Sequence, residues 1–306
     1  HASNEGLNAT IKNISISTGG SSGSALTINS GNGAAVISGG TSDLVTLTVN
    51  SNSASSRVLD AIAGATNLVK LGTGTLTLTG TNTYTGGTII NGGTLALSGS
   101  GSIGTSSGVS NAATFDISAT TSGATITTLS GAGSVVLGTK TLTLSAANDT
   151  FAGVISGTGG LVLSSGTQTL TGNNTYTGGT TINGGTLSFG ANDVLSNTGA
   201  VNVSGGTLAI GAFTDSVGAV TLSSGSITGT TGGVLTGASY DVTNATGTTT
   251  IGAILGGTAQ LTKTGAGSLV MSGMNQYTGI TTITSGTLAL SGSGSIGTSS
   301  GLLNAA

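Results

Sequence analysis

Three near-copies of one 21-residue block constrain this chain more than any other feature. They read TLTLTGTNTYTGGTIINGGTL at 75–95, TQTLTGNNTYTGGTTINGGTL at 167–187 and SLVMSGMNQYTGITTITSGTL at 268–288; the first two differ at three positions. The central tyrosines Tyr84, Tyr176 and Tyr277 are 92 and then 101 residues apart. A second identity, GTLALSGSGSIGTSSG, stands at 93–108 and again at 286–301, an offset of 193. Self-similarity on this scale marks a solenoid or array, in which each unit buries its apolar face only by stacking on the next.

Aligning the copies separates packed positions from free ones. Ile90, Ile182 and Ile283 coincide, as do Leu95, Leu187 and Leu288, and Leu97, Phe189 and Leu290. Between them the residue drifts: Ile89, Thr181, Thr282, then Ala96, Ser188, Ala289. An apolar residue at every second place, with small free residues between, is the alternation of a half-buried strand. Gln168 departs from it, standing where Leu76 and Leu269 stand. Either its amide finds partners inside, or the register shifts there.

Glycine supplies 58 of 306 residues and proline none. Collagen needs proline and a strict triplet; disorder needs few apolar and many charged residues, whereas 36% here is apolar and 4% charged. Proline is excluded from central strands because it cannot donate to a ladder, so its absence fits a chain made almost wholly of them. Between the blocks the same grammar continues in Ala113–Ile117, Ala124–Leu129, Ser134–Leu137, Thr141–Leu144, Gly153–Ile155 and Leu161–Leu163. Two-residue hairpin turns are scarce and glycines recur at equivalent corners, where positive φ is needed. The expectation is an all-β chain, a right-handed parallel β-helix (solenoid) with three strands per coil. It is read as one continuous stretch over 1–306, with repeat blocks at 68–108, 161–190 and 261–301, and as a piece of a longer repetitive protein.

Gly74–Thr88, followed by Ile90–Leu95, resembles the autotransporter-associated β-strand repeat, also called the passenger-associated transport repeat. The second block matches nearly residue for residue; the third departs at Met274, Gln276, Ile280 and Ser285. Lys70 and Lys263 precede their blocks where that family often has lysine, and the second copy lacks it. The resemblance implies a parallel β-helix passenger exported across a bacterial outer membrane, usually ahead of a C-terminal translocating barrel. It thus implies a secreted, cell-surface location.

Chemistry-bearing residues are few. The acids are Glu5, Asp43, Asp60, Asp116, Asp149, Asp193, Asp215 and Asp241, and the one histidine is His1. Asp193 and Asp215, 22 residues apart, could stack on adjacent coils as a carboxylate pair for glycoside hydrolysis; as turn aspartates they would cap local backbone. No catalytic, cofactor-binding or metal-binding residue is assigned, no cofactor is expected, and the chain is read as not an enzyme. Lys12, Arg57, Lys70, Lys140 and Lys263 are scattered singly, without the basic stripe of a nucleic-acid binder. No apolar run reaches the length of a membrane span.

Thr75-Thr77-Thr79 and Thr141-Thr143 could form the outward ladders of an ice-binding face, but threonine is simply a good strand residue. The tyrosines could form a carbohydrate-stacking stripe; packed over corners, they would instead bond through their hydroxyls. Asn8-Ala-Thr10 fits a glycosylation sequon, and Val49–Ala65, with Arg57 and Asp60, is the most irregular stretch. What remains is a surface rod, adhesive or purely structural, serving adhesion, aggregation or biofilm, or else a filament or matrix scaffold. The expected partners are other copies, joined end to end or side by side, or a host or neighbouring cell surface, with glycans as a further class.

Overall fold

The computed structural model describes residues 66–306 continuously. Before them it describes 62–64 and the strands Ala9–Lys12, Ala25–Ser30, Ala35–Ser38, Thr46–Ser51 and Ser56–Val58. Two compact units emerge: His1–Leu144 with Ala152–Ser156, and Ser145–Phe151 with Gly157–Ala306. Each is a β-solenoid, and no described residue is helical.

In the first unit one sheet stacks Thr75–Leu78, Thr94–Gly99, Thr114–Thr120 and Ser134–Gly138 in that order. Another stacks Asn67–Leu71, Thr88–Ile90, Val109–Asn111 and Leu129–Gly131. A third pairs Ala124–Ile126 with Leu142–Leu144. All these ladders are parallel, so the chain returns to the same face one coil later. The second unit repeats the scheme. Thr167–Leu170, Thr186–Phe189, Thr207–Ala209 and Ser226–Thr228 form one parallel run. Leu161–Leu163, Thr180–Ile182, Val201–Val203, Thr214–Leu222, Val234–Val242, Leu261–Lys263 and Thr281–Ile283 form another.

Alternation makes the core. Leu76, Leu95, Phe115 and Val135 pair in register and are all fully buried. Leu163, Ile182, Val203, Leu222 and Val242 form the matching column of the second unit. Ile90, Ile182 and Ile283, the fixed positions of the three blocks, all point inward. Gln168 keeps the register, opposite Leu187, and is buried with its Nε2 donating to Thr169 O at 3.2 Å. It thus sits inside with its Nε2 bonded to the backbone, and the strand does not shift.

Not every face of a coil is a regular strand. Residues 79–87 arch between Thr75–Leu78 and Thr88–Ile90, yet their backbone still bonds to neighbouring coils. Asn82 N–H donates to Ser102 O at 3.0 Å, Thr83 N–H to Ile62 O at 2.8 Å and Thr85 N–H to Gly64 O at 2.9 Å. Thr81 and Ser102, and Met274 and Ser295, make isolated parallel bridges at equivalent places.

Candidate functional site

Each of the three repeats places a tyrosine in this arch. Tyr84, Tyr176 and Tyr277 lie wholly inside. Each hydroxyl meets the threonine four residues on: Tyr84 to Thr88 at 2.5 Å, Tyr176 to Thr180 at 2.6 Å, Tyr277 to Thr281 at 2.8 Å. Those threonines occupy inward positions of their strands, where Thr88 stacks between Leu68 and Val109 and Thr180 between Leu161 and Val201. A buried hydroxyl needs a partner, and tyrosine supplies it. In the first and third blocks the chain of hydroxyls extends one coil further, Thr88 to Ser106 at 2.9 Å and Thr281 to Ser299 at 3.0 Å. Burial pushes every one of these phenols upward, so they stay neutral. The corner-packing reading is the one realised: with the rings inside, no tyrosine stripe exists for a sugar to stack on.

Two residues before each tyrosine stands a buried asparagine, which sequence reasoning passed over. Asn82 Oδ1 accepts Ile62 N–H at 2.9 Å, while Nδ2 donates to Gly80 O at 3.0 Å and Ser102 O at 2.9 Å. One side chain thus clips its own coil to the one before and the one after. Asn275 repeats this with Leu255 N–H at 2.9 Å, Gly273 O at 2.9 Å and Ser295 O at 3.0 Å. Asn174 Nδ2 donates to Gly172 O at 3.0 Å and Val194 O at 2.7 Å. The signal was available: flanking residues vary (Thr81, Asn173, Met274; Thr83, Thr175, Gln276) while this one does not.

Lys70 and Lys263 are inward residues as well, paired with Ile90 and Ile283 in the core columns. Lys70 Nζ reaches the corner, donating to Leu71 O at 2.6 Å, Gly92 O at 3.0 Å and Gly72 O at 3.1 Å; Lys263 Nζ donates to Gly265 O. Burial lowers both ammonium groups, Lys70 from 10.5 to about 8. At the equivalent place the second copy has Leu163, paired with Ile182.

Asp193 and Asp215 do fall on adjacent coils. Asp193 is exposed in a left-handed turn at φ 53°, its N–H donating to Thr214 O at 3.0 Å. Asp215 is buried, 3% exposed, and accepts Leu195 N–H at 2.9 Å, so it caps the neighbouring coil. A carboxyl so enclosed cannot touch a polysaccharide beside Asp193. Asp116 and Asp241 bond locally, to Ser118 N–H at 2.8 Å and from the Ser239 hydroxyl at 2.9 Å. His1, Glu5, Asn8, Asp43, Asp60 and the side chains of Lys12 and Arg57 lie outside the described residues, as does much of 49–65. Among the described residues no three acids or histidines gather as a metal site.

Outside, Thr75, Thr94, Thr114 and Ser134 stack in one column, but the next column reads Thr77, Ala96, Asp116, Val136. The paired threonine columns of an ice-ordering face are therefore not built here. A shallow hollow of about 350 Å³ lies among Thr230, Thr231, Ile254, Ser272 and Met274.

The family model of the passenger-associated-transport repeat matches the chain three times, at residues 68–97, 163–189 and 261–290. Each match takes in one tyrosine arch and its asparagine clip. The chain is similar to the adhesin BmaC autotransporter of Brucella suis biovar 1 (strain 1330), with 40% identity over 75 residues, 22% of this chain. The matched segment spans 2% of the length of that relative. No solved structure matches the chain.

Proposed function

We propose that this chain, bearing three passenger-associated-transport repeats, is part of an exported autotransporter-type passenger that serves on the bacterial surface as a non-catalytic stalk. The recurrence of the repeat on three arches of a parallel solenoid carries the reading. The physical chemistry agrees with it. Among the described residues, the cross-coil bonds join residues about one coil apart in sequence, such as 18 for Thr88 and Ser106 and 24 for Asn244 and Ser268, so coils can form one after another as the chain emerges. There is no cysteine to be oxidised on the way.

A mainly structural role is favoured over a binding tip by where the aromatic residues lie. All four tyrosines are buried, as are Phe115, Phe151 and Phe189. Recognition surfaces usually expose such anchors. The outer face, rich in Ser, Thr, Asn and Gly and nearly uncharged, offers little repulsion to another copy. Side-by-side association between cells is the adhesive form of the same reading; a matrix scaffold is the alternative.

The experiment is an epitope inserted at the exposed, unobstructed Gly232 corner of the parent protein, read on intact cells by antibody and protease shaving. Labelling and cleavage on intact cells are expected; protection until lysis would sink the proposal. Comparing autoaggregation with binding to host surfaces, with and without residues 66–306, separates the stalk from the ligand-binding reading.

A further inference from the structure

The asparagine clip has a fourth, acidic counterpart. Asn82, Asp215 and Asn275 each accept a backbone N–H 20 residues earlier, from Ile62, Leu195 and Leu255 in turn, all at 2.9 Å. The two asparagines then use Nδ2 to hold carbonyls of their own and the following coil. Asp215 has no such donor. Its buried Oδ1 has no hydrogen-bond partner among the described residues, and the residue is 3% exposed. On the other side of the coil that carries Val194 and Leu195, Asn174 takes the Val194 carbonyl at 2.7 Å. That coil is thus held from both sides, once by an amide and once by a carboxyl.

We infer that Asp215 is an acid-responsive clip: protonated, it holds the Leu195 N–H without bringing a charge inside; ionised, it leaves a buried charge whose Oδ1 makes no hydrogen bond among the described residues. Burial is the main cause that pushes this carboxyl from 3.8 up to about 6, with the Asp193 charge adding to it and the N–H groups of Leu195, Val194 and Ser216 pulling it back. The titratable groups that act on it are Asp193 and, from an earlier coil, the Tyr176 phenol. Neither is basic, so nothing there neutralises the anion.

The folded chain therefore binds more protons than the unfolded one between 3.8 and about 6. Stability from the neutral form is fully present below that window and is lost as pH rises through about 6. Urea denaturation of the 306-residue chain at pH 4.5 and 7.5 reads this directly. The wild type is expected to lose roughly thirty-fold in its folding equilibrium across that interval relative to D215N. D215N places there the residue that already serves at Asn82 and Asn275. Reciprocally, N82D should add a second loss of the same sign. A carbon-13 carboxyl titration of the folded wild type gives a readout independent of either variant. Its Asp215 midpoint should lie near the stated value and fall in D193N. A wild type no more pH-sensitive than D215N, or an Asp215 midpoint in the ordinary carboxylate range, would overturn the inference.

Discussion

A single buried polar side chain in this solenoid is judged by how many coils it serves. The Tyr84 hydroxyl meets Thr88, which also meets Ser106, whereas the Thr180 hydroxyl meets only Tyr176 among the described residues. Tyr84→Phe then costs about 1 kcal/mol, the net worth of one hydrogen bond, because Thr88 keeps a partner. Tyr176→Phe strands a buried hydroxyl and should cost about 2 kcal/mol or more, a difference that urea titrations of the two variants would resolve. Lys70 makes the opposite kind of prediction. Its folded pKa of about 8 lies below the unfolded 10.5, so the unfolded chain holds more protons between them and stability rises with pH across that window. Lys70→Leu, which copies Leu163, should flatten that alkaline rise; a denaturation midpoint that climbs equally in both chains would count against it. The tyrosine hydroxyl bonds were legible because the rings recur in one context. The asparagines and the inward lysines were not, because Asn among Thr and Gly reads as a turn and Lys reads as surface. Only the parity of Lys70 with Leu68, both buried on one strand, betrays it.

Strands were easier to read than corners. Leu161–Leu163 stands as expected, and Ser134–Leu137 gains only Gly138. The expected strand Ala124–Leu129 is instead two, Ala124–Ile126 and Leu129–Gly131, in different sheets. The alternation in fact breaks there: Ile126 and Leu129 stand three apart and the adjacent Thr128 and Leu129 are both buried, so the change of parity marks the bend that a single strand reading ran across. The nine-residue strands Thr214–Leu222 and Val234–Val242 were missed because glycine interrupts each. The structure uses the gap: a Cβ on Gly237 would sit 2.9 Å from the Tyr240 ring, whose hydroxyl accepts Gly237 N–H at 2.7 Å. Corners divide by what approaches them. Gly93 and Gly99 share φ +62°, but a Cβ on Gly93 would come 2.2 Å from Gly74 O, while Gly99 has nothing within 4 Å. Gly99→Ala should cost about 1 kcal/mol, the left-handed penalty alone. Gly93→Ala must also push one coil off another, so its thermal midpoint should fall several times further. Equal losses would mean that strain, and not coil spacing, selects these glycines.

At the scale of the molecule, the chain contains its own control for what a neighbouring coil is worth. Residues 93–108 and 286–301 are identical in sequence. In the first copy Leu97 and Ile103 are fully buried, beneath the coil that brings Val109 and Phe115. In the second, Leu290 is 47% exposed, and only Leu302–Asn304 follows as a strand. Local sequence, turns and corner glycines are the same; the difference lies in the stacking, the term that dominates repeat-protein stability. Leu97→Ala should therefore cost about 2–5 kcal/mol, the range for a buried leucine. Leu290→Ala in this same chain should cost less than half as much, since much of its surface already meets water. In a chain in which a copy of 109–131 follows Gly301, the cost of Leu290→Ala should rise toward that of Leu97→Ala. Hydrogen exchange on the affected coil, alongside urea denaturation, measures each step. If the two substitutions cost the same before the extra coil is added, burial by the neighbour is not what holds a coil in place, and the additive picture of the solenoid fails with it.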